Sequence, residues 1–420
     1  MAVPGVVAAN VRAITRFIEV PMSTPAASAV PSFVRPDLVV DFDIYSDPTL
    51  LAQPHRGYLA LHGKTPDIFY TPRNGGHWVI TRFDYMAQIL RDPVHFSSRE
   101  LTIPKSNSKY VMLPLNLDPP DHAAYRATLM RHLDRKWVAS IDGALRARAN
   151  ELIDRVVDAH ECDFSEKLGA GFPVSIFMDL MGIPHSRFEE LRAIVHEYFS
   201  KVSNARYLEL QTIIIGIIAT MIAERRATPG TDLMSKLIQE KVHGRPLNDE
   251  ELQSVGFLLF LGGLDTVANA LTFAIHHLAG DPALQKRLAA EPEDIPNFVE
   301  ESLRCYGVVH QTRIVKKDIE IAGAHFHEGD MVMCALPLAG LDDRKNPNPE
   351  KFDIDRKDRQ HIAFSTGAHT CIGNVLARAE MAAFTGEWLK RIPSFKLAPG
   401  KPVTWRAGSV MACLNLPLVW

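Results

Sequence analysis

The sequence predicts a mainly α-helical protein with a few small β-sheets. Between two β-rich segments the apolar residues recur at the spacing of one helix face. A helix is also predicted directly after Cys371, from Asn374 to Arg391, and the longest apolar stretch covers residues 252–279. The other predicted helices cover residues 137–157, 209–225 and 286–305.

The two β-rich segments have the pattern of hairpins. Residues 66–82 place β-favouring runs on both sides of an Asn-Gly-Gly turn at 74–76. Residues 318–333 repeat this pattern around Glu-Gly-Asp at 328–330. Because both segments are short, we expect small sheets beside a helical body.

The apolar stretch 252–279 is long enough to span a bilayer. Asp265, Thr266 and Asn269 lie in its middle, however, and a charge at membrane depth is costly. A helix that is apolar all round is also typical of the buried axis of a large protein. We therefore expect a core helix, with a membrane span as the less favoured alternative.

Composition and charge argue against several classes of function. The 420 residues carry a net charge of −3 and no concentrated basic arm, which argues against nucleic-acid binding. The five cysteines are widely spaced and form no Cys-x-x-Cys motif, which argues against a disulfide framework or structural zinc. The first 20 residues lack the pattern of a signal peptide, so a reducing cytoplasm is expected.

Cys371 lies in a short loop between two glycines, directly before a predicted helix. Gly367 and Gly373 permit close backbone approach, and the N–H groups at the helix N-terminus favour a thiolate. No other cysteine or histidine has the spacing needed to share a metal ion with Cys371. The loop therefore indicates a metal whose other ligands come from a cofactor, such as the iron of haem. A small buried hydrophobe and a hydrolase nucleophile paired with His369 are the alternatives.

Gly262 and Gly263 interrupt the long apolar helix immediately before Asp265 and Thr266. A glycine inside a helix costs about 1 kcal/mol relative to alanine, so the pair needs a reason. Close helix packing is one reason, and a groove for a diatomic ligand is another. In the second case Thr266 would bond the oxygen and Asp265 would supply protons from solvent.

Two further pairs have helical spacing. Glu301 and Arg304 share one helix face, as an exposed ion pair would. His122 and Arg126 follow an Asp-Pro-Pro segment, and together they could bind carboxylates. Either pair alone is also compatible with an ordinary solvent-exposed helix.

Together these motifs resemble those of the cytochrome P450 family. Residues 364–373 match the family signature Phe-x-x-Gly-x-His/Arg-x-Cys-x-Gly at every fixed position. The segment GGLDT at 262–266 is similar to the oxygen-activating helix, and residues 301–304 are similar to the Glu-x-x-Arg motif. The segments DPP, GTDL, LAGLDDR and RIPSF narrow the resemblance to the group around the bacterial camphor hydroxylase.

The resemblance implies an N-terminal arm at 1–40 and one domain at 41–420, shaped as a triangular α-rich prism. Haem b would lie between the long helix and the cysteine loop, with Cys371 as the axial ligand and O2 as co-substrate. The implied oxygen-activating residues are Gly262, Gly263, Asp265 and Thr266. The implied structural pair is Glu301 with Arg304. The implied haem contacts are His122, Arg126, Arg313, Phe364, Gly367, His369 and Gly373. The implied substrate contacts are Tyr110, Leu258, Leu261, Val309 and Val410.

The resemblance also implies a substrate class. Tyr110 falls where camphor-type enzymes hydrogen-bond a substrate ketone, whereas Gln311, Ser409 and the loop 101–109 depart from that group. A small terpenoid or norisoprenoid ketone other than camphor is therefore the expected substrate. A haem-thiolate peroxygenase or isomerase that does not use O2 is the alternative.

The resemblance further implies a soluble, monomeric, cytoplasmic monooxygenase without a membrane or nucleic-acid partner. Its electron donor would be a [2Fe–2S] ferredoxin with a flavin reductase. A cationic patch would steer this acidic partner towards the haem. The residues expected in the patch are Arg126, Arg131, Arg135 and Lys136.

Overall fold

The computed structural model describes residues 27–105, 110–198 and 203–420. Residues 1–26 of the predicted arm, residues 106–109 of the loop 101–109 and residues 199–202 lie outside these ranges. The α-helices are α1 (Pro48–Ala52), α2 (Pro54–Leu59), α3 (Phe83–Leu90), α4 (Asp121–Met130), α5 (Arg135–Ser140), α6 (Asp142–Asp154), α7 (Gly171–Met181), α8 (Phe188–Tyr198), α9 (Asn204–Ala227), α10 (Leu233–Leu237), α11 (Asp249–Ala279), α12 (Pro282–Ala290), α13 (Ile295–Cys305), α14 (Leu336–Ala339) and α15 (Asn374–Arg391).

The strands form one five-stranded sheet, in the order β1-β2-β10-β7-β3, and several smaller sheets. The pair β2–β10 is parallel, and its neighbours in this sheet are antiparallel. The strands are β1 (Ile68–Thr71), β2 (His77–Ile80), β3 (Phe96–Ser97), β4 (Glu161–Asp163), β5 (Lys241–Val242), β6 (Arg245–Pro246), β7 (Gln311–Val315), β8 (Ile319–Ile321), β9 (Ala324–Phe326), β10 (Met331–Cys334), β11 (Lys396–Leu397), β12 (Thr404–Arg406), β13 (Ala412–Asn415) and β14 (Pro417–Val419).

Helix α11 is the axis that joins two hydrophobic cores. Its first half, up to Leu264, packs into a core shared with α7, α8 and α9. Its second half, from Val267 onwards, packs into the larger core with α13 and α15. A capping box at Asn248 and Glu251 starts the helix, since each side chain accepts the other's backbone N–H. The Gly-Gly-Leu-Asp-Thr segment therefore lies where the helix passes from one core to the other.

Among the residues that the structure describes, two helices are long and apolar enough to cross a membrane by length and composition alone, α11 and Ala205–Ala227 of α9. In α11, 61% of the most apolar window is buried inside the protein. Its apolar side chains thus have protein partners, as the core-helix interpretation requires. The corresponding window of α9 is 33% buried.

The first predicted hairpin is confirmed, and the second is wrong in its turn. β1 and β2 pair around residues 72–76, as expected. In the second segment β8 pairs with β9 around Ala322 and Gly323, which both have positive φ, as a two-residue hairpin turn requires. Strand β10 leaves that hairpin and joins the main sheet between β2 and β7. Alanine in the left-handed region hid the turn, and Gly329 suggested a false one.

The helix predictions differ in their boundaries. Helix α15 has the predicted bounds, Asn374 to Arg391. The segment 286–305 contains two helices rather than one, because Pro292 follows the end of α12 and starts a separate turn before α13. The segment 137–157 is likewise divided between α5 and α6, which meet at Ile141.

Glu301 and Arg304 form a buried ion pair, so the exposed-pair interpretation is wrong. Both side chains have 0% exposure, and two hydrogen bonds of 2.7 and 2.9 Å join them. Arg304 also donates to the carbonyl oxygens of Gly340, Pro349 and Lys351. This pair fixes the irregular chain that leads from α14 to the cysteine loop.

We predict that Arg304→Met destabilises the protein by about 3–5 kcal/mol, because it removes one partner of a buried ion pair. The measurement is the denaturant midpoint of the holoprotein. Arg192→Met is the matched control, since Arg192 and Glu189 have the same spacing but are solvent-exposed. The control should cost at most about 1 kcal/mol. Equal losses in both variants would contradict a structural role for the buried pair.

Candidate active site

The loop before α15 holds Cys371 in a fixed position. The Cys371 N–H donates to the Phe364 carbonyl at 2.8 Å, which closes the loop on itself. Gly367 has φ +75°, and a Cβ there would lie 3.0 Å from the Leu90 carbonyl oxygen. Glycine is therefore required at this position both by conformation and by the close approach of α3.

The Cys371 side chain is exposed, although the surrounding protein removes most water from its sulfur. This is the pattern of a side chain that faces an internal cleft. Burial raises the pKa of the thiol, while the Gly373 N–H and the cations Arg126 and Arg378 lower it. Arg378 lies over the Phe364 ring at 4.6 Å. Burial has the larger effect, so the pKa is raised overall, and these donors and cations limit the rise and would stabilise the thiolate that ligates a metal.

The middle of α11 faces open space. Gly262 and Gly263 are exposed in an otherwise buried helix, and a Cβ at Gly263 would meet nothing within 4 Å. Close helix packing therefore does not explain the two glycines. The Thr266 hydroxyl donates to the Gly262 carbonyl at 2.9 Å, which holds the hydroxyl beside this open space.

Asp265 forms an ion pair with Arg406, which the sequence analysis did not identify. The Arg406 Nη2 atom donates to Asp265 Oδ2 at 2.8 Å from strand β12. Burial raises the pKa of Asp265, and the opposing influences are Arg406, Asn269 and the nearby His196 of α8. Arg406 is 141 residues away in sequence, so no local motif could have indicated it.

The loop and the helix belong to one site. Helix α15 packs against α11. Ile372, next to Cys371, packs against the core that contains Leu261 and Leu264. Cys371 and the open segment of α11 therefore face the same interior region.

The side chains predicted to bind carboxylates converge beside the cysteine loop. The His122 and His369 rings lie 4.1 Å apart, and Arg126 donates to the Thr370 carbonyl at 2.5 Å. Arg313 is 2% exposed, has no ion pair within the described residues, and leaves Nη2 without a hydrogen-bond partner. A buried cation without a counter-charge is costly. The propionate carboxylates of haem would satisfy these groups, so the residues fit that cofactor.

The hydrolase alternative does not fit this arrangement. The His369 ring lies against His122, and no hydrogen bond joins it to Cys371 in the described part of the chain. Burial, and then the cations Arg313 and His122, lower the pKa of His369 to about 3. His369 is thus a neutral ring beside Arg313 and His122, and its low basicity does not suit a general base for the thiol.

The side chains predicted as substrate contacts come from several elements. Val309 and Val410 are paired by an antiparallel bridge, and Leu258 and Leu261 lie on α11 before the two glycines. The Tyr110 ring lies 5.8 Å from the ring of Phe257 on the same helix. Gln311, one of the departures from the camphor-type pattern, accepts a hydrogen bond from Ser365 in the cysteine loop.

Comparison with known proteins identifies the family. A sequence profile described as Cytochrome P450 matches residues 164–404. The chain belongs to the cytochrome P450 family. This cytochrome P450 is 34% identical to the probable cytochrome P450 127A1 of Sinorhizobium fredii, over 93% of this chain and 97% of that relative.

Two solved structures confirm the fold. The crystal structure of CYP101J2 has a TM-score of 0.87 and 34% identity, and the comparison covers 94% of this chain and 99% of that chain. The crystal structure of CYP101C1 has a TM-score of 0.88 and 32% identity, over 93% and 100% of the two chains. The predicted P450 fold and the likeness to the camphor hydroxylase group are thus confirmed. The protein is a P450 monooxygenase that uses haem b and O2.

We predict that Arg406→Gln raises the pKa of Asp265 further, because the carboxylate loses an adjacent cation. The protonated carboxyl should then persist to a higher pH than in the unaltered protein. Infrared difference spectra of the carboxyl C=O stretch would measure this, with Asp265→Asn identifying the band. Arg406→Lys keeps the charge and should shift the pKa less. A band that titrates identically in all arginine variants would show that Arg406 does not control Asp265.

Proposed function

We propose that this P450 monooxygenase hydroxylates a small terpenoid or norisoprenoid ketone, with electrons from a [2Fe–2S] ferredoxin and its reductase. The observation that carries the substrate proposal is the position of the Tyr110 phenol, which packs against the apolar core and lies 5.8 Å from the Phe257 ring of α11. Apolar residues can enclose a hydrocarbon skeleton but do not fix its orientation. A hydroxyl of the protein fixes the orientation when it donates a hydrogen bond to a carbonyl of the substrate. Leu258, Leu261, Val309 and Val410 are the proposed apolar contacts.

In this proposal Cys371 is the axial ligand of the haem iron. Arg126, Arg313, His122 and His369 bind the propionates, and their convergence beside the cysteine loop supports this role. Phe364, Gly367 and Gly373 shape the loop. When bound, haem b supplies the chemistry that inserts one oxygen atom of O2 into a C–H bond.

Asp265 and Thr266 are the proposed proton-transfer residues. The raised pKa lets Asp265 carry a proton more readily at neutral pH than an exposed aspartate does. Thr266 is the next residue of the helix, and its hydroxyl is held at the carbonyl of Gly262. Asp265 would take protons from the Arg406 side and Thr266 would direct them to the open space at Gly262 and Gly263.

The electron donor is proposed to dock on α5, close to the cysteine loop. Helix α5 packs against α15, which follows Cys371. Arg135 and Lys136 are exposed and have no ion pair within the described residues, whereas Arg131 is already paired with Glu240. The cationic patch therefore centres on Arg135 and Lys136.

We also propose that the enzyme is cytoplasmic and monomeric.

We expect Tyr110→Phe to weaken ketone binding about fivefold, the usual loss for one neutral hydrogen bond. The measurement is a titration of the ferric holoprotein, followed by the spin-state change of the haem spectrum. Each ketone is compared with the same skeleton without oxygen, whose affinity should not change. An equal change for both ligands, or none for the ketone, would refute the proposed anchor.

Charge reversal at Arg135 should slow reduction by the ferredoxin about tenfold at low ionic strength, because steering is lost. Stopped-flow reduction of the haem measures this rate, and high salt should remove the difference. Lys396→Glu is the control, since Lys396 is exposed on the separate C-terminal sheet. A similar loss in the control, or a rate of the Arg135 variant independent of salt, would argue against this docking surface.

A further inference from the structure

A small group of polar side chains lies inside the apolar contact between α8 and α9. Tyr198 of α8 is 7% exposed, and Gln211 of α9 is 1% exposed. The surrounding side chains of this contact are Leu191, Val195, Leu210 and Ile214. Buried polar groups cost stability unless they are paired, so this group needs a structural or functional reason.

A chain of hydrogen bonds runs through this group and ends at Tyr207. The Gln211 amide donates to the Tyr198 hydroxyl at 3.4 Å, and the hydroxyls of Tyr198 and Tyr207 lie 2.7 Å apart. A hydroxyl has one donor and two acceptor sites. The contact with Tyr198 uses only one site on Tyr207, whose hydroxyl has no other hydrogen-bond partner within the described residues.

Tyr207 lies near residues of the proposed substrate pocket. Tyr207 and Tyr110 pack against the same core, and the Phe257 ring lies 5.8 Å from the Tyr110 ring and 6.3 Å from the Tyr198 ring. Burial is the main cause that raises the pKa of Tyr45, and the nearby Tyr207 adds to this effect. The Tyr45 hydroxyl lies 3.2 Å from the hydroxyl of Ser409, which precedes Val410, a proposed substrate contact.

We propose that Tyr207 is a second polar contact for the substrate, at the opposite end of the molecule from the oxygen that Tyr110 binds. This inference rests on the proposed function and narrows its substrate class. The preferred substrate carries two oxygen functions, such as a diketone or a hydroxy ketone, on one compact hydrocarbon skeleton. Because the Tyr198 hydroxyl accepts a hydrogen bond from the Gln211 amide, its own hydrogen is available to donate to the Tyr207 hydroxyl. The hydrogen of the Tyr207 hydroxyl is then available to donate to a substrate oxygen.

The test uses two variants that break the same hydrogen bond. Tyr207→Phe removes the hydroxyl that is proposed to contact the substrate, and Tyr198→Phe removes only the neighbouring hydroxyl. Both variants keep the two aromatic rings, whose centroids lie 4.8 Å apart. The ferric holoprotein is titrated with a monoketone and with the same skeleton carrying a second oxygen at its far end. The unaltered protein should bind the dioxygenated ligand more tightly.

Tyr207→Phe should weaken binding of the dioxygenated ligand about five- to tenfold and leave the monoketone unchanged. Tyr198→Phe should retain most of the preference. Equal loss in both variants, together with equal lowering of their thermal midpoints, would mean that the two tyrosines only fasten α8 to α9. Equal affinity of the unaltered protein for both ligands would also overturn the inference.

The same titrations separate this inference from the proposed function. If the monoketone binds through Tyr110 but Tyr207→Phe does not discriminate between the ligands, only the second contact is wrong. If Tyr110→Phe has no effect on the monoketone, the ketone proposal itself fails, and the inference fails with it.

Discussion

The buried pair of Glu301 and Arg304 is the interaction on which the site depends most. An ion pair without solvent is stable only when its remaining donors and acceptors are satisfied. Here the chain after α14 satisfies them, because its carbonyls accept from Arg304 and the Asp353 N–H donates to Glu301. The need to satisfy this buried ion pair thus fixes the irregular segment after α14. The cysteine loop comes next in the chain, so its position depends on that segment.

The long helix places the chemistry between two cores. Because α11 changes from one core to the other near Asp265, the helix can present small residues and a threonine to open space there without losing its packing elsewhere. The same position lets β12 reach the carboxylate with Arg406. Asp265, the proposed proton-transfer residue, is consequently held by an element from the C-terminal part of the chain.

Local signals in the sequence predicted the fold class, α15, the first hairpin and the cysteine loop. Each depends on residues near one another, such as the glycines around Cys371. Predictions failed where a distant or unusual contact decided the outcome. Ala322 adopts a conformation that favours glycine, so the β8–β9 turn was missed. No motif indicates Arg406, because its ion pair with Asp265 forms only when β12 meets α11. No motif indicates the hydrogen bond between Tyr198 and Tyr207 either, because it forms only when α8 meets α9. Whether Glu301 and Arg304 are exposed likewise depended on the tertiary structure.

We propose that the Cys371 sulfur binds the haem iron, and iron-edge X-ray absorption of the ferric holoprotein would detect that bond. The spectrum should show a sulfur neighbour of the iron in the unaltered protein, its loss in Cys371→Ser, and its retention in Cys162→Ser, which alters a half-buried cysteine of β4. A sulfur neighbour that persists in Cys371→Ser, or that is absent from the unaltered protein, would rule out Cys371 as the iron ligand.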